Sequence, residues 1–267
     1  MIGILDSGVG GLSILREIRT RLPHHHLMYV ADQANLPYGP RPLSEVQQFS
    51  EALTRFLLKA GAEIIVIACN TASAAALHDL REKFPDVPFV GMEPAIRPAS
   101  RDTRNKNIGV IATAATFQGR LYASLVERFA QDVKVITRAC PELVLLVERG
   151  APWTDGDYQM TADLLAELRA AQVDQLVLGC THFSFVRPLL QAAMGDGVAI
   201  VDPAPAVARQ VERVLNGAMD SSHGETVYFT TGDVAVFRKQ NQQLLGISNA
   251  DVQLLRWQAG ALVSASG

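Results

Sequence analysis

A pattern of four short apolar runs occurs twice in this 267-residue chain, in the same order and at a nearly constant offset. The first set covers residues 2–5, 27–31, 64–68 and 87–91; the second covers 108–111, 133–138, 175–178 and 198–201. Asp6 and Thr113 are 107 positions apart, Cys69 and Cys180 are 111 apart, and Glu93 and Asp202 are 109 apart, each just past the end of a run. Amphipathic helical stretches separate the runs: one ending at Arg21, then 43–59, 72–84, 113–129, 142–148 and 158–171. Strand and helix in strict alternation imply an α/β fold with mainly parallel sheets. The period is far longer than a solenoid repeat, so the pattern predicts two similar α/β domains.

The tail has no copy in the middle of the chain. It predicts a helix at 206–216, a strand at 226–230, a helix at 234–245 and a strand at 252–256. These elements are expected to fold back on the first domain, making it discontinuous, 1–97 plus 206–267, with 98–205 as the second domain. The polar stretch PASRDTRNKN at 98–107 has no apolar period and is the expected linker. A second crossing is expected near 203–205.

Hydrophobic residues make up 48% and charged residues 19%, which fits a globular core, and the net charge of −3 gives no general attraction to nucleic acid. No apolar run is long enough to span a membrane, and the start lacks the basic and apolar regions of a signal peptide. The first strand begins at residue 2, so no N-terminal regulatory extension is expected. Three cysteines make no disulfide framework and suit a reducing cytoplasm. There is no Cys-x-x-Cys and no His-Glu-x-x-His, so no metal is expected. His24-His25-His26 follows Pro23 and reads as a helix-to-strand turn.

In parallel sheets, ligands bind beyond the carboxyl ends of the strands. Asp6-Ser7, Pro37-Tyr38-Gly39, Cys69-Asn70-Thr71, Thr113 with Thr116, and Cys180-Thr181-His182 lie there, with Glu148 nearby. Hydroxyls and helix N-termini suit a small anionic substrate. Asp6-Ser7-Gly8-Val9-Gly10-Gly11-Leu12-Ser13 is not a dinucleotide loop, because Ser13 replaces the third glycine and only Asp32 follows the second strand. Nor is it a phosphate loop, which needs Gly-Lys-Ser/Thr. Cys69 and Cys180 each end an apolar run where a helix begins, a setting that activates a thiol. Cys140 precedes a proline and reads as structural. His182 reads as a proton partner of Cys180, and Asp6 as one of Cys69.

These residues resemble the cofactor-independent glutamate racemases of bacteria, within the aspartate/glutamate racemase superfamily. The matching segments are Asp6-Ser7-Gly8-Val9-Gly10-Gly11-Leu12, Pro37-Tyr38-Gly39, Ala68-Cys69-Asn70-Thr71-Ala72-Ser73, Cys140-Pro141-Glu142-Leu143 through Val147-Glu148, and Gly179-Cys180-Thr181-His182-Phe183. Ser184-Phe185 departs from the usual Pro-Leu, a change expected to touch packing more than chemistry. The resemblance implies two flavodoxin-like domains with the active site between them. It also implies interconversion of L- and D-glutamate without pyridoxal phosphate or metal, supplying D-glutamate for peptidoglycan. By position, Cys69 would take the α-proton of D-glutamate, helped by Asp6, and Cys180 that of L-glutamate, helped by His182. Glu148 would belong to the same catalytic group. Ser7, Pro37, Tyr38, Gly39, Asn70, Thr71, Thr113, Thr116, Thr181 and His182, with Asp6, would hold the substrate. Dimers are common in such a family, so a homodimer is expected.

Inverting a carbon by proton exchange needs a base on one face and an acid on the other, in opposite environments. Donors around the substrate carboxylate must stabilise the enediolate-like anion. Alternatives are another acid racemase or isomerase, such as an aspartate or hydantoin racemase or a maleate isomerase, and a non-catalytic amino-acid-binding protein. Two thiols disfavour a one-thiol arylmalonate decarboxylase.

Overall fold

The computed structural model describes residues 1–215 and 224–264. Its strands are β1 (Ile2–Asp6), β2 (Leu27–Ala31), β3 (Ile64–Ile67), β4 (Phe89–Val90), β5 (Asn107–Ala112), β6 (Lys134–Ala139), β7 (Gln175–Gly179), β8 (Ala199–Val201), β9 (Thr226–Thr230), β10 (Asp251–Gln258) and β11 (Ala261–Ser264). Among the described residues they form two sheets, ordered β11-β10-β9-β2-β1-β3-β4 and β6-β5-β7-β8. The order β2-β1-β3-β4 is repeated as β6-β5-β7-β8, so the sequence repeat is also a repeat of topology. All pairs are parallel except β10 with β11. β1, β2, β3 and β7 are buried at every residue, as parallel strands covered by helices on both faces must be.

The tail joins the first sheet through β9, which pairs with β2. Helix Ala204–Val214 lies against helix Leu12–Arg21, burying Val207 and Val211 in the same core as Leu15 and Ile18. Its first turn starts two residues earlier than expected, with Pro205 where a proline is tolerated; Asn216, its expected end, lies outside the described residues. Residues 23–25 form a turn, as the histidine run suggests. Among the described residues, no helix is long and apolar enough to cross a membrane.

The structure corrects several boundaries. The polar stretch at 98–107 is no open linker. Helix Ile96–Asp102 fills its first half, and Ile96 and Ala99, one turn apart, bury against Ile108, Val110 and Val177. The expected helix 113–129 breaks into Ala114–Gln118 and Arg120–Phe129. Gly119 stands at the break, where a Cβ would come 2.8 Å from that of Ala74. The helix expected at 158–171 starts earlier, fixed by a capping box between Thr154 and Asp157, and splits into Asp155–Leu164 and Ala166–Ala170. β11 is absent from the sequence reading because its turn is Ala259-Gly260, without the usual Asn-Gly or Asp-Gly signal; both residues take positive φ, 48° and 78°.

Candidate active site

β3 ends at Ile67 and the following helix starts at Asn70, not at Ala72 as the sequence suggested. The reason is the thiol. Cys69 is the N-cap, and its Sγ accepts the N–H of Ala72 at 3.4 Å. Cys180 stands at the matching place after β7, ahead of a 3-10 turn over Thr181–Val186. Both cysteines line one cavity of about 200 Å³. Ser7, Pro37, Tyr38, Gly39, Asn70 and Thr71 line it from the side of the first sheet, and Thr113, Val144, Thr181 and His182 from the side of the second. The two sheets therefore share one cavity at the carboxyl ends of their strands.

Asp6, Thr116 and Glu148 do not line the cavity; each stands behind a residue that does. Thr116 bonds Thr113 at 2.9 Å, and Thr113 bonds Thr71 at 2.8 Å, which ties the two halves together at the cavity wall. Tyr38 faces the cavity, but its hydroxyl donates to Asp32 at 2.7 Å. Asp32 also accepts from Thr231, Asn35 and the Trp257 indole, so it is a structural hub and not a nucleotide ligand. Cys140 is buried at the start of helix Pro141–Arg149 and does not line the cavity, with its thiol pushed up to about 12 by burial.

The two cysteines have opposite neighbours. Nδ1 of His182 lies 3.6 Å from Sγ of Cys180, and its Nε2 lies 2.8 Å from Oε1 of Glu148. Burial disfavours charge on His182, but its bonds to Cys180 and Glu148 outweigh burial and hold its pKa well above the usual value. Burial would likewise raise Glu148, yet the His182 bond, the Val9 N–H and Gln33 keep it below the usual range. The pair is thus ionic, and the imidazolium faces Cys180.

Around Cys69 the reverse holds. Burial, then the charge of Asp6, pushes its thiol up to about 12. Its near partner is the Ser7 hydroxyl at 3.8 Å. Asp6 Oδ2 accepts the N–H groups of Gly8 and Gly11, at 3.1 and 3.0 Å, while its Oδ1 is buried with no hydrogen-bond partner. Burial raises the Asp6 carboxyl, opposed by His182 and those two N–H groups.

The glycine-rich turn has a reason that the sequence reading did not supply. A Cβ on Gly8 would stand 2.0 Å from Glu148 Oε1, and one on Gly10 would stand 2.3 Å from His182 Nδ1. The glycines make room for the two side chains behind Cys180. Gln33 and Gln240, which bond Glu148, were also missed.

The side-chain amide of Asn70 is buried at the cavity with neither its nitrogen nor its oxygen partnered, an arrangement made for a polar ligand. Free N–H groups at the start of helix Asn70–Lys83 add donors for a carboxylate. Among the described residues, no group of three His, Cys, Asp or Glu is placed to hold a metal ion.

The Asp/Glu/Hydantoin racemase family model matches residues 12–211. Glutamate racemase of Pseudomonas aeruginosa is 48% identical over 215 residues, covering 80% of this chain and 81% of that protein. Glutamate racemase of Pseudomonas putida is 45% identical over 242 residues, covering 89% and 91%. Among solved structures, glutamate racemase RacE1 of Bacillus anthracis has a TM-score of 0.87 at 32% identity, covering 98% of both chains. The Escherichia coli glutamate racemase, in complex with L-glutamate and the activator UDP-MurNAc-ala, has a TM-score of 0.83 at 31% identity, covering 94% of this chain and 96% of that one.

Proposed function

Because this chain belongs to the Asp/Glu/Hydantoin racemase family, we propose that it is an isomerase that interconverts L- and D-glutamate by a two-thiol proton transfer. One observation carries this reading: Cys69 and Cys180 line the same cavity from opposite halves, in opposite electrostatic settings. Cys69 holds its proton, while Cys180 faces the His182 imidazole across 3.6 Å. In this scheme Cys69 is the acid and Cys180 the base when the substrate is L-glutamate. Cys180 takes the α-proton while Cys69 delivers its own to the opposite face. The reverse reaction starts once the proton has moved, with Asp6 helping to receive it behind Cys69.

The intermediate anion needs donors at the substrate carboxylate. Asn70, Ser7, Thr71, Thr113 and Thr181 supply them, with the helix N-terminus after Cys69. Such a donor typically contributes about 10²–10³ in rate when it meets charge that develops in the transition state. Thr116 supports Thr113, and Pro37, Tyr38 and Gly39 close the cavity wall. The reaction needs no cofactor and no metal. We place the protein in the cytoplasm, as a homodimer of two-domain subunits (1–97 plus 206–267, and 98–205), supplying D-glutamate for peptidoglycan.

Alanine in place of each cysteine tests the two-base scheme. Racemisation should vanish in both Cys69→Ala and Cys180→Ala while the circular dichroism of the fold stays the same. Racemisation that survives in Cys180→Ala would sink it.

A further inference from the structure

Glu148 is reached by two glutamines from distant parts of the chain. Its Oε1 accepts from His182 and from the Val9 N–H, each at 2.8 Å. Its Oε2 accepts Nε2 of Gln33 at 3.2 Å and Nε2 of Gln240 at 3.3 Å. Gln240 also donates to the Glu148 backbone carbonyl at 2.6 Å, and its own Oε1 accepts from Gln33 at 2.9 Å. Gln33 Oε1 in turn accepts the hydroxyl of Thr230 at 2.9 Å. Each amide thus uses both N–H bonds and its oxygen, and turning either amide over would set its oxygen against the Glu148 carboxylate, acceptor against acceptor. Both carboxylate oxygens are occupied, and Gln240 is buried on helix Val234–Leu245, in the tail that has no counterpart in the repeat.

We propose that Gln33 and Gln240 are positioning residues for catalysis, clamping the Glu148 carboxylate so that it orients His182 against Cys180. The inference rests on the two-thiol reading above. Its chemistry is simple. An ionised carboxylate out of water needs donors on both oxygens; with one of the two at Oε2 removed, its charged form is less well held and it is less firmly fixed against the imidazole. The other titratable groups about this pair are Cys180, Asp6, Tyr29 and Cys69. Asp6 and Tyr29 keep their own partners, Gly8, Gly11 and each other, whatever happens to the glutamines.

The test uses Gln240→Met, which keeps length and loses the donors, and Gln240→Glu, which keeps shape and sets a carboxylate against Glu148. Gln33→Met repeats the test at a half-buried position that is easier to fold. Gln243→Met is the control: this glutamine is on the same helix but bonds only the Ala151 carbonyl, at 2.7 Å. About a tenfold loss in kcat/KM is expected for Gln240→Met, and more for Gln240→Glu. The equilibrium constant of a racemisation ties the two directions together, so the sharper readout is the primary isotope effect at Cα. It should rise for L-glutamate relative to D-glutamate, because the step at Cys180 has become slower. NMR titration of the His182 ring should show a lower pKa in Gln240→Met and in Gln33→Met. That titration is independent of turnover. A wild-type protein inert on glutamate would overturn the proposed reaction but leave the clamp to be judged by the ring titration. An unchanged His182 pKa, or isotope effects that change no more than in Gln243→Met, would overturn the clamp itself.

Discussion

Gly10→Ala should disable the Cys180 side of the site through a single methyl group. Gly10 is not in the left-handed region, so alanine fits its backbone and only space opposes it. The new Cβ would stand 2.3 Å from His182 Nδ1, 2.6 Å from its Cε1 and 2.7 Å from Thr181 Oγ1. To reach ordinary contact the ring must retreat by about 1 Å. Nδ1 now sits 3.6 Å from the Cys180 sulfur, already long, so that retreat breaks the contact. Misplacement by about 1 Å typically costs about 10²-fold in rate. Overpacking of this kind costs about 1–3 kcal/mol of stability, a fall of several degrees in Tm. The assay is circular dichroism polarimetry of glutamate in both directions, beside a thermal melt. A stable, folded Gly10→Ala with wild-type kcat/KM would refute the argument that His182 must meet Cys180.

Other outcomes follow from the same geometry. Asn70→Ala removes an amide whose two polar atoms are buried and unpartnered, so stability should change by less than about 1 kcal/mol while KM for glutamate rises about tenfold; unchanged kinetics would show that Asn70 does not meet the substrate. Stability should also follow pH through the His182–Glu148 pair. A raised histidine contributes stability that is complete below its unfolded value of 6.5 and is lost as pH rises through its folded value. A lowered carboxylate contributes above its unfolded value of 4.5 and loses that as pH falls through its folded value. The advantage in Tm of wild type over Glu148→Gln should therefore be greatest between those unfolded values and shrink on either side; an advantage flat in pH would contradict the ion pair. Thr116→Val, which removes the bond behind Thr113, should lower kcat/KM severalfold with the cavity still formed; no loss would show that Thr113 needs no support.

The parallel core was legible because β1, β2, β3 and β7 are built around short apolar runs, as strands buried on both faces are. Cys69 and Cys180 were legible for the same reason: each lies just past such a run. The second row was harder. Glu148 reaches His182 across 34 positions, and its glutamines lie 115 and 92 positions away, so no local spacing announces them. Gln33 could have been found as a polar residue just after β2, on the same rule that found Asp6. Gln240 gave no signal, since a glutamine on a helix reads as solvated until its burial is known. The linker at 98–107 misled because its charges hide the pair Ile96 and Ala99, one member of which precedes the stretch. The glycines of the first turn looked like a nucleotide loop because a close approach of any kind, to phosphate or to side chain, selects the same residue.

The central claim is that this chain moves a proton at Cα of glutamate between two thiols, and the most direct measurement is of that proton. Purified protein would be given L-glutamate in D2O with no added cofactor, and ellipticity and Cα deuterium followed together. The account predicts loss of optical activity with deuterium entering Cα, and neither change in Cys180→Ala. Glutamate that keeps both its ellipticity and its Cα hydrogen in the presence of the folded wild-type protein would contradict it.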